Sequence, residues 1–217
     1  MTDVAPDSIA MLAPRSDEPK FKNDRKDPSS LVNTEQNFMK DHAAENGAVF
    51  DIKTGKPIIA TSSGKDNGVD LDWKQVEKLR SLNGEALFTH NHPRNRSFSE
   101  DDFYMMLAGN IKEFRAISER YLYVLTDAEG KFRSNFDFKA LQPLNGMTSP
   151  KIYALAKAAL KKIDYEKSEK EIEACMAKFG TTHEQEEEIQ WTHARNELLA
   201  KKFGLKYERI PINHVSL

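Results

Sequence analysis

Hydrophobic and polar positions follow two different periods along this chain, and the change from one to the other predicts its elements. Short apolar runs bounded by polar or glycine-rich links predict strands at residues 48–50, 57–61, 86–90, 115–117 and 121–125. Apolar residues three or four positions apart predict helices at residues 33–44, at 73–82 and after Ser99. Because these strands and helices interleave with short links, the pattern is typical of an α/β domain.

Turn and capping residues mark several boundaries of these elements. Gly55 lies in a polar turn between the first two predicted strands, which favours a hairpin with a positive φ at that glycine. Asp70 or Asp72 is expected to cap the helix at 73–82. Ser99, followed three positions later by Asp102, predicts a capping box that opens the next helix.

The two ends of the chain differ in character from its middle. Residues 1–32 contain four prolines and few large apolar groups, so we predict a disordered arm there. Residues 33–145 hold the interleaved pattern of the α/β domain. Residues 146–217 predict a helical extension with two long helices and a closing strand at 205–210. These helices are rich in Glu and Lys, which suits pairing with each other or with a partner protein.

Composition and charge narrow the classes of function. A net charge of −2 gives no general electrostatic reason to expect binding to nucleic acid or to an anionic membrane. No apolar run approaches the roughly 20 residues that cross a bilayer, and the N-terminus lacks the pattern of a signal peptide. We therefore expect a soluble cytoplasmic protein. The single cysteine, Cys175, excludes an intramolecular disulfide and a Cys-rich zinc module.

The strongest candidate chemistry lies at the end of the strand at 86–90. His90 and His92 are two positions apart, so on a strand their side chains leave the same face. Asp102 follows at the predicted helix start, and two imidazoles with a carboxylate form a common zinc ligand set that leaves one position open. The alternative is a strand, a turn and a capped helix without chemistry. The coincidence of these features favours the metal site.

These residues also form a recognisable motif. The string His90-Asn91-His92-Pro93, five residues, Ser99, two residues and Asp102 resembles the JAMM (JAB/MPN+) metalloprotease motif. That motif reads His-x-His-Pro, usually six residues, Ser, two residues and Asp, with a separate Glu upstream. The His-Asn-His-Pro form resembles the RadC-like branch, and the shorter loop resembles phage-associated variants. Across residues 40–130 the resemblance implies a cytidine-deaminase-like, mixed central sheet flanked by helices.

The resemblance assigns roles to individual residues. His90, His92 and Asp102 would bind Zn²⁺, and the shorter loop leaves Asp101 as the alternative to Asp102. Water in the fourth position would have a pKa lowered towards about 7. Ser99 would help to hold the developing oxyanion or the bound water.

The general base implied by the resemblance is a glutamate on an earlier strand. Glu45 fits best because it precedes the first predicted strand, while Glu85 and Glu35 are the alternatives. Arg94 and Arg96 flank the expected metal, where they would either bind an acidic substrate or only solvate the loop.

The function implied by the resemblance is zinc-dependent hydrolysis of a peptide or isopeptide bond, with ubiquitin-like tails as the first substrates to consider. Two other classes stay open. One is a metal-dependent nuclease or DNA-processing protein, since the string His-Asn-His superficially resembles the motif of the HNH endonucleases. The other is a non-catalytic binding module of the JAMM fold, associated with phage or mobile-element proteins. His42 lies near Glu45 and could enter the site, although the pattern favours a surface position on its helix. The remaining histidines show no paired ligand pattern and are expected to be structural or solvent-exposed: His183, His193 and His214.

Overall fold

A computed structural model of the protein describes residues 27–62, 68–69, 71–130, 154, 157–159, 161–163 and 165–212. Its helices are α1 Ser29–Met39, α2 Trp73–Ser81, α3 Glu100–Ala108, α4 Tyr165–Phe179 and α5 His183–Phe203. Its strands are β1 Asn46–Asp51, β2 Pro57–Ser62, β3 Ala86–Asn91, β4 Glu113–Ile117, β5 Tyr121–Thr126 and β6 Lys206–Pro211. Among the helices of these ranges, none combines the length and the hydropathy that crossing a bilayer requires.

The six strands form one mixed sheet in the order β2-β1-β3-β4-β5-β6. Strands β3 and β4 pair in parallel and the other neighbours are antiparallel. All six residues of β3 are buried, as expected for an inner strand with helices on both sides. The predicted α/β class, with a mixed sheet flanked by helices, is confirmed. The predicted hairpin is also present, with Gly55 at a φ of 65°.

The two faces of the sheet carry separate hydrophobic layers. Alternate residues of β3 and β5, such as Phe88 and Tyr123, pack with apolar residues of α2, α3 and α5. The intervening residues, such as Leu87 and Leu122, face α1 and meet Leu31, Val32, Phe38 and Met39 of that helix. Because successive side chains of a strand point to opposite faces, His90 lies on the α3 and α5 face and Thr89 on the α1 face.

Helix α1 begins four residues before the predicted start at Asn33 and ends at Met39 rather than at residue 44. Leu31 is only 1% exposed, so the last residues of the predicted arm are part of the folded domain. The sequence pattern concealed this because the buried stripe of α1 contains the charged residue Glu35. Residues 1–26 of the predicted arm lie outside the described residues.

Helix α5 and strand β6 of the C-terminal segment share the hydrophobic layer and the sheet of the α/β domain. Strand β6 pairs with β5 and forms one edge of the sheet. It is the predicted closing strand, shifted by one residue from the expected bounds of 205–210. Helix α5 places Leu199, Ala200 and Phe203 in the main hydrophobic layer. A capping box of Thr182 with Gln185 begins this helix. The sequence alone shows that α5 is amphipathic but not which surface its apolar side covers.

A buried charge cluster lies between α1 and the sheet. Glu35 is fully buried and accepts hydrogen bonds from Thr89 Oγ1 at 3.0 Å and from Arg115 Nη1 at 3.3 Å. Arg115 also binds Asp27 and Glu113, at 2.8 and 2.6 Å. Burial raises the pKa of Glu35 to about 7, although Arg115 and Thr89 act in the opposite direction. Glu35 therefore serves the packing of α1.

Replacing Glu35 by Gln is expected to stabilise the protein at pH 8 and to change its stability little near pH 5. The ordinary pKa of this carboxyl is 4.5, and in the folded protein it is about 7. At pH values between these two, the folded wild type binds more protons than the unfolded chain. Its free energy of unfolding therefore falls as the pH rises, by up to about 1.4 kcal/mol per pH unit. Urea denaturation of both proteins between pH 5 and 8 measures this. A difference between them that does not grow with pH contradicts the prediction.

Candidate metal centre

Strand β3 and the start of α3 bring three ligand residues together. His90 is the penultimate residue of β3, and His92 follows the strand with its backbone N–H donating to Ile117 O at 2.8 Å. This bond continues the parallel pairing with β4, so both imidazoles leave the same face of an extended backbone. Asp102 lies in the first turn of α3, which directs its side chain towards the end of β3.

The three side chains lie close enough together to hold one metal ion. His90 Nε2 is 2.8 Å from His92 Nε2 and 3.2 Å from Asp102 Oδ1, and His92 Nε2 is 3.6 Å from Asp102 Oδ2. Metal bonds near 2.1 Å in a regular tetrahedron put neighbouring ligand atoms about 3.4 Å apart. All three residues are buried. The measured distances lie on both sides of that value, so the set could hold a metal ion. The carboxylate is that of Asp102, whereas Asp101 is exposed.

Hydrogen bonds to the ring nitrogens favour metal binding by His92. Its Nδ1 lies 2.9 Å from the backbone carbonyl oxygen of Arg96. A carbonyl oxygen only accepts, so Nδ1 carries the hydrogen and the lone pair of neutral His92 lies on Nε2, facing the centre. Nδ1 of His90 is buried without a hydrogen-bond partner among the described residues.

The electrostatics of the site favour a neutral His92 and an ionised Asp102, which are the states that bind a metal. Burial, followed by the charge of His90, lowers the pKa of His92 to about 4, which keeps its imidazole neutral. Burial would raise the pKa of Asp102, but His90, His92 and the Ser99 N–H hold it well below its usual range. Burial alone would lower the pKa of His90, yet the carboxylate of Asp102 raises it. Of the two imidazoles, His90 lies closer to the carboxylate of Asp102.

The predicted capping box is present and orients the carboxylate ligand. The Ser99 N–H and hydroxyl donate to Asp102 Oδ2 at 2.7 and 2.9 Å, and the Asp102 N–H donates to Ser99 Oγ at 3.2 Å. Oδ2 is therefore held by Ser99 while Oδ1 turns towards His90. In this arrangement the Ser99 hydroxyl positions Asp102, and its contribution to an oxyanion site stays a prediction.

Of the three candidate glutamates, Glu45 is the one beside the ligands. It lines a cavity of about 440 Å³ together with His90, His92 and Asp102. The negative charge of Glu45 raises the pKa of His90. Glu85 lies before the start of β3, where its carboxylate is 3.5 Å from Lys112 Nζ. Glu35 lies on the opposite face of the sheet. The geometry thus agrees with Glu45 as the base, a role that stays a prediction.

The two candidate substrate-binding arginines lie at the same cavity in different settings. Arg94 is exposed at its rim. The backbone carbonyl of Arg96 accepts the hydrogen bond from His92 Nδ1. The guanidinium of Arg96 lies 3.0 Å from Glu188 Oε1 of α5. Arg96 therefore connects the loop between the ligands to α5, in addition to any contact with a substrate.

Helix α5 holds that loop through buried polar residues. Asn196 Nδ2 donates to Ser97 Oγ at 3.1 Å and to Phe98 O at 2.7 Å. Arg195 donates to Phe98 O and to Glu100 Oε1, both at 2.7 Å. The sequence interpretation missed these residues. The available signal was the presence of polar residues in the otherwise apolar buried stripe of α5: Ile189, His193, Asn196, Ala200 and Phe203.

Replacing Asn196 by Ala is expected to lower the free energy of unfolding by about 1–3 kcal/mol, since it leaves the buried Phe98 carbonyl with one donor fewer. It should also weaken metal binding at the candidate centre by about tenfold, as loss of a supporting residue typically does. Urea denaturation and competition with a chelator measure the two effects. Glu197→Ala, at the exposed neighbouring position, should change stability by less than about 0.5 kcal/mol. Equal effects of both variants contradict the prediction.

Comparison with known proteins identifies no relative of this chain. No family model, no curated protein and no solved structure matches it. Membership of the JAMM family therefore stays a prediction from the motif residues. The candidate metal centre stands on its own geometry.

Proposed function

We propose that this protein is a zinc-dependent hydrolase of peptide or isopeptide bonds. The observation that carries the proposal is the convergence of His90, His92 and Asp102, with their ligand atoms within 4.8 Å of one another, on the wall of a cavity. Three protein ligands with one position open are characteristic of catalytic zinc sites, whereas structural sites usually have four. The presence of Glu45 on the same cavity wall adds a candidate base.

The residues of the chain would divide the chemical work. A bound zinc ion supplies a Lewis acid and lowers the pKa of a water molecule. Glu45 would accept a proton from the attacking water and return it to the departing amine nitrogen. The carbonyl carbon gains the water oxygen and loses the amine, so the products are a carboxylic acid and an amine. Asp102, oriented by Ser99, keeps the ligand geometry during this exchange.

The cavity suits a short stretch of polypeptide. Its volume of about 440 Å³ is within the range of small-ligand sites. Its wall combines charged side chains of both signs, including Arg94 and Glu188, with apolar ones, including Val69, Leu71 and Met105. A peptide segment with polar backbone groups and small apolar side chains would match this mixture. The extended tail of a ubiquitin-like protein is one such segment and is the first substrate to examine.

Metal analysis of the purified full chain tests the proposal. We expect one zinc ion per chain and a lower melting temperature after removal by a chelator, with recovery when zinc is added back. Zinc at a thousand times its Kd stabilises the folded state by about 4 kcal/mol. A chain that binds no zinc, even when zinc is supplied in excess, contradicts the proposal.

A further inference from the structure

The residue between the two histidines has a hydrogen-bonding role of its own. Asn91 is 2% exposed, and its amide contacts the link between α1 and β1. Its Nδ2 donates to Asp41 O at 2.8 Å and to Ala44 O at 2.9 Å. Its Oδ1 accepts from the Asn46 N–H at 2.6 Å. These partners identify which end of the amide is oxygen, since carbonyls accept and an N–H donates.

Two of these bonds bracket Glu45 along the backbone. One reaches the carbonyl of the residue before it, and the other reaches the N–H of the residue after it. In the antiparallel pairing of β1 with β3, Gly47 lies opposite His90. The amide of Asn91 thus extends the ladder past this last backbone pair. Glu45 is therefore fixed from the same strand that carries His90.

The rest of the link is closed on itself. Asp41 Oδ1 accepts from the N–H groups of Ala43 and Ala44, both at 3.0 Å, and Oδ2 accepts from Asn46 Nδ2 at 2.8 Å. These hydrogen bonds lower the pKa of Asp41. The link is thus a compact turn that Asn91 ties to β3, and its position follows the position of Asn91.

We infer that Asn91 is a positioning residue that holds Glu45 over the metal centre. The inference rests on the proposed function, in which Glu45 is the base. An amide suits the position because it supplies one acceptor and two donors in one plane. A carboxylate would oppose the two backbone carbonyls, and a hydroxyl has only one hydrogen to donate. The two histidine ligands, His90 and His92, would then flank Asn91, the residue that positions the base.

Cobalt-loaded full-length protein tests this inference. The variants are Asn91→Ala, Glu45→Gln and the double variant, with Asn91→Ser in reserve should the alanine variant not fold. Thr89→Ala is the control, because Thr89 lies on the same strand and face but binds Glu35. Two properties are measured: the hydrogen-exchange protection of the Asn46 amide, and the pH midpoint of the cobalt absorption band. The protection reports the link, and the midpoint reports the surroundings of the metal-bound water.

We expect Asn91→Ala to bind one cobalt per chain, to lower the protection of the Asn46 amide about tenfold, and to shift the cobalt midpoint in the same direction as Glu45→Gln. The double variant should shift it no further, since the two residues act as a unit. Thr89→Ala should leave the midpoint unchanged.

Several results overturn the inference. Retained protection of the Asn46 amide in Asn91→Ala overturns it. So does a cobalt midpoint of Asn91→Ala equal to that of the wild type when Glu45→Gln shifts it. In both cases the proposed function stands. A midpoint that Glu45→Gln does not move removes Glu45 as the base and the inference with it, but leaves the metal site. A wild type that binds no cobalt contradicts the proposed function itself, and the inference fails with it.

Discussion

The His92→Ala protein is expected to bind zinc at least about a hundredfold more weakly than the wild type. Loss of a residue that only supports a metal ligand typically costs 10–100-fold in affinity, and loss of a ligand costs more. His92 supplies one of three ligand atoms, and its lone pair is already directed to the centre by the hydrogen bond to the Arg96 carbonyl. The two remaining ligands, His90 and Asp102, cannot define a tetrahedral site.

Competition with a chelator measures this affinity, and thermal unfolding with and without zinc gives a second readout. The melting temperature of His92→Ala should not respond to zinc at concentrations that stabilise the wild type. His183→Ala is the matched control, since His183 is exposed on α5 and pairs with Glu169. Zinc binding equal to wild type in His92→Ala would mean that the metal lies elsewhere on the chain.

The Glu45→Gln protein is expected to keep its zinc and to lose about 10²–10⁴-fold in kcat. This is the usual contribution of a positioned general base, which an amide cannot replace. The substitution preserves the shape of the side chain, so KM should change little. Hydrolysis of a degenerate peptide mixture and of an isopeptide-linked ubiquitin dimer, followed by mass spectrometry, measures the rate.

Glu85→Gln is the control for Glu45→Gln. The carboxylate of Glu85 forms an ion pair with Lys112, and Glu85 does not line the cavity. Its replacement should leave the rate unchanged. Wild-type activity in Glu45→Gln would remove Glu45 as the base without removing the metal site. A wild type that binds zinc and cleaves neither substrate would favour the alternative of a non-catalytic binding module.

Local features of the site follow from sequence spacing alone. Two histidines at positions i and i+2 on a strand must share a face, and Ser99 three positions before Asp102 must tend to open a helix. Both features depend on backbone geometry within about a dozen residues. They were predicted and are present. The hairpin around Gly55 belongs to the same class, since its turn needs only a residue tolerant of positive φ.

The choice between Asp101 and Asp102 needed the tertiary structure. Neighbouring residues of a helix point about 100° apart, so only one of the two can face β3. Which one does so depends on how α3 sits against the sheet after the five-residue loop. Asn196 and Arg195 of α5 hold that loop, and nothing in their distance along the sequence indicates it.

The sequence by itself determined the α/β class, the strand that carries the histidines and the ligand types. The tertiary structure decided which glutamate reaches the cavity, because Glu35, Glu45 and Glu85 differ in the sheet face or strand end they occupy. It also decided that α5 packs in the main hydrophobic layer and that Asn91 ties the link bearing Glu45 to β3. The reason is physical: short-range spacing sets the direction of a side chain, whereas packing and strand pairing set which distant side chains meet.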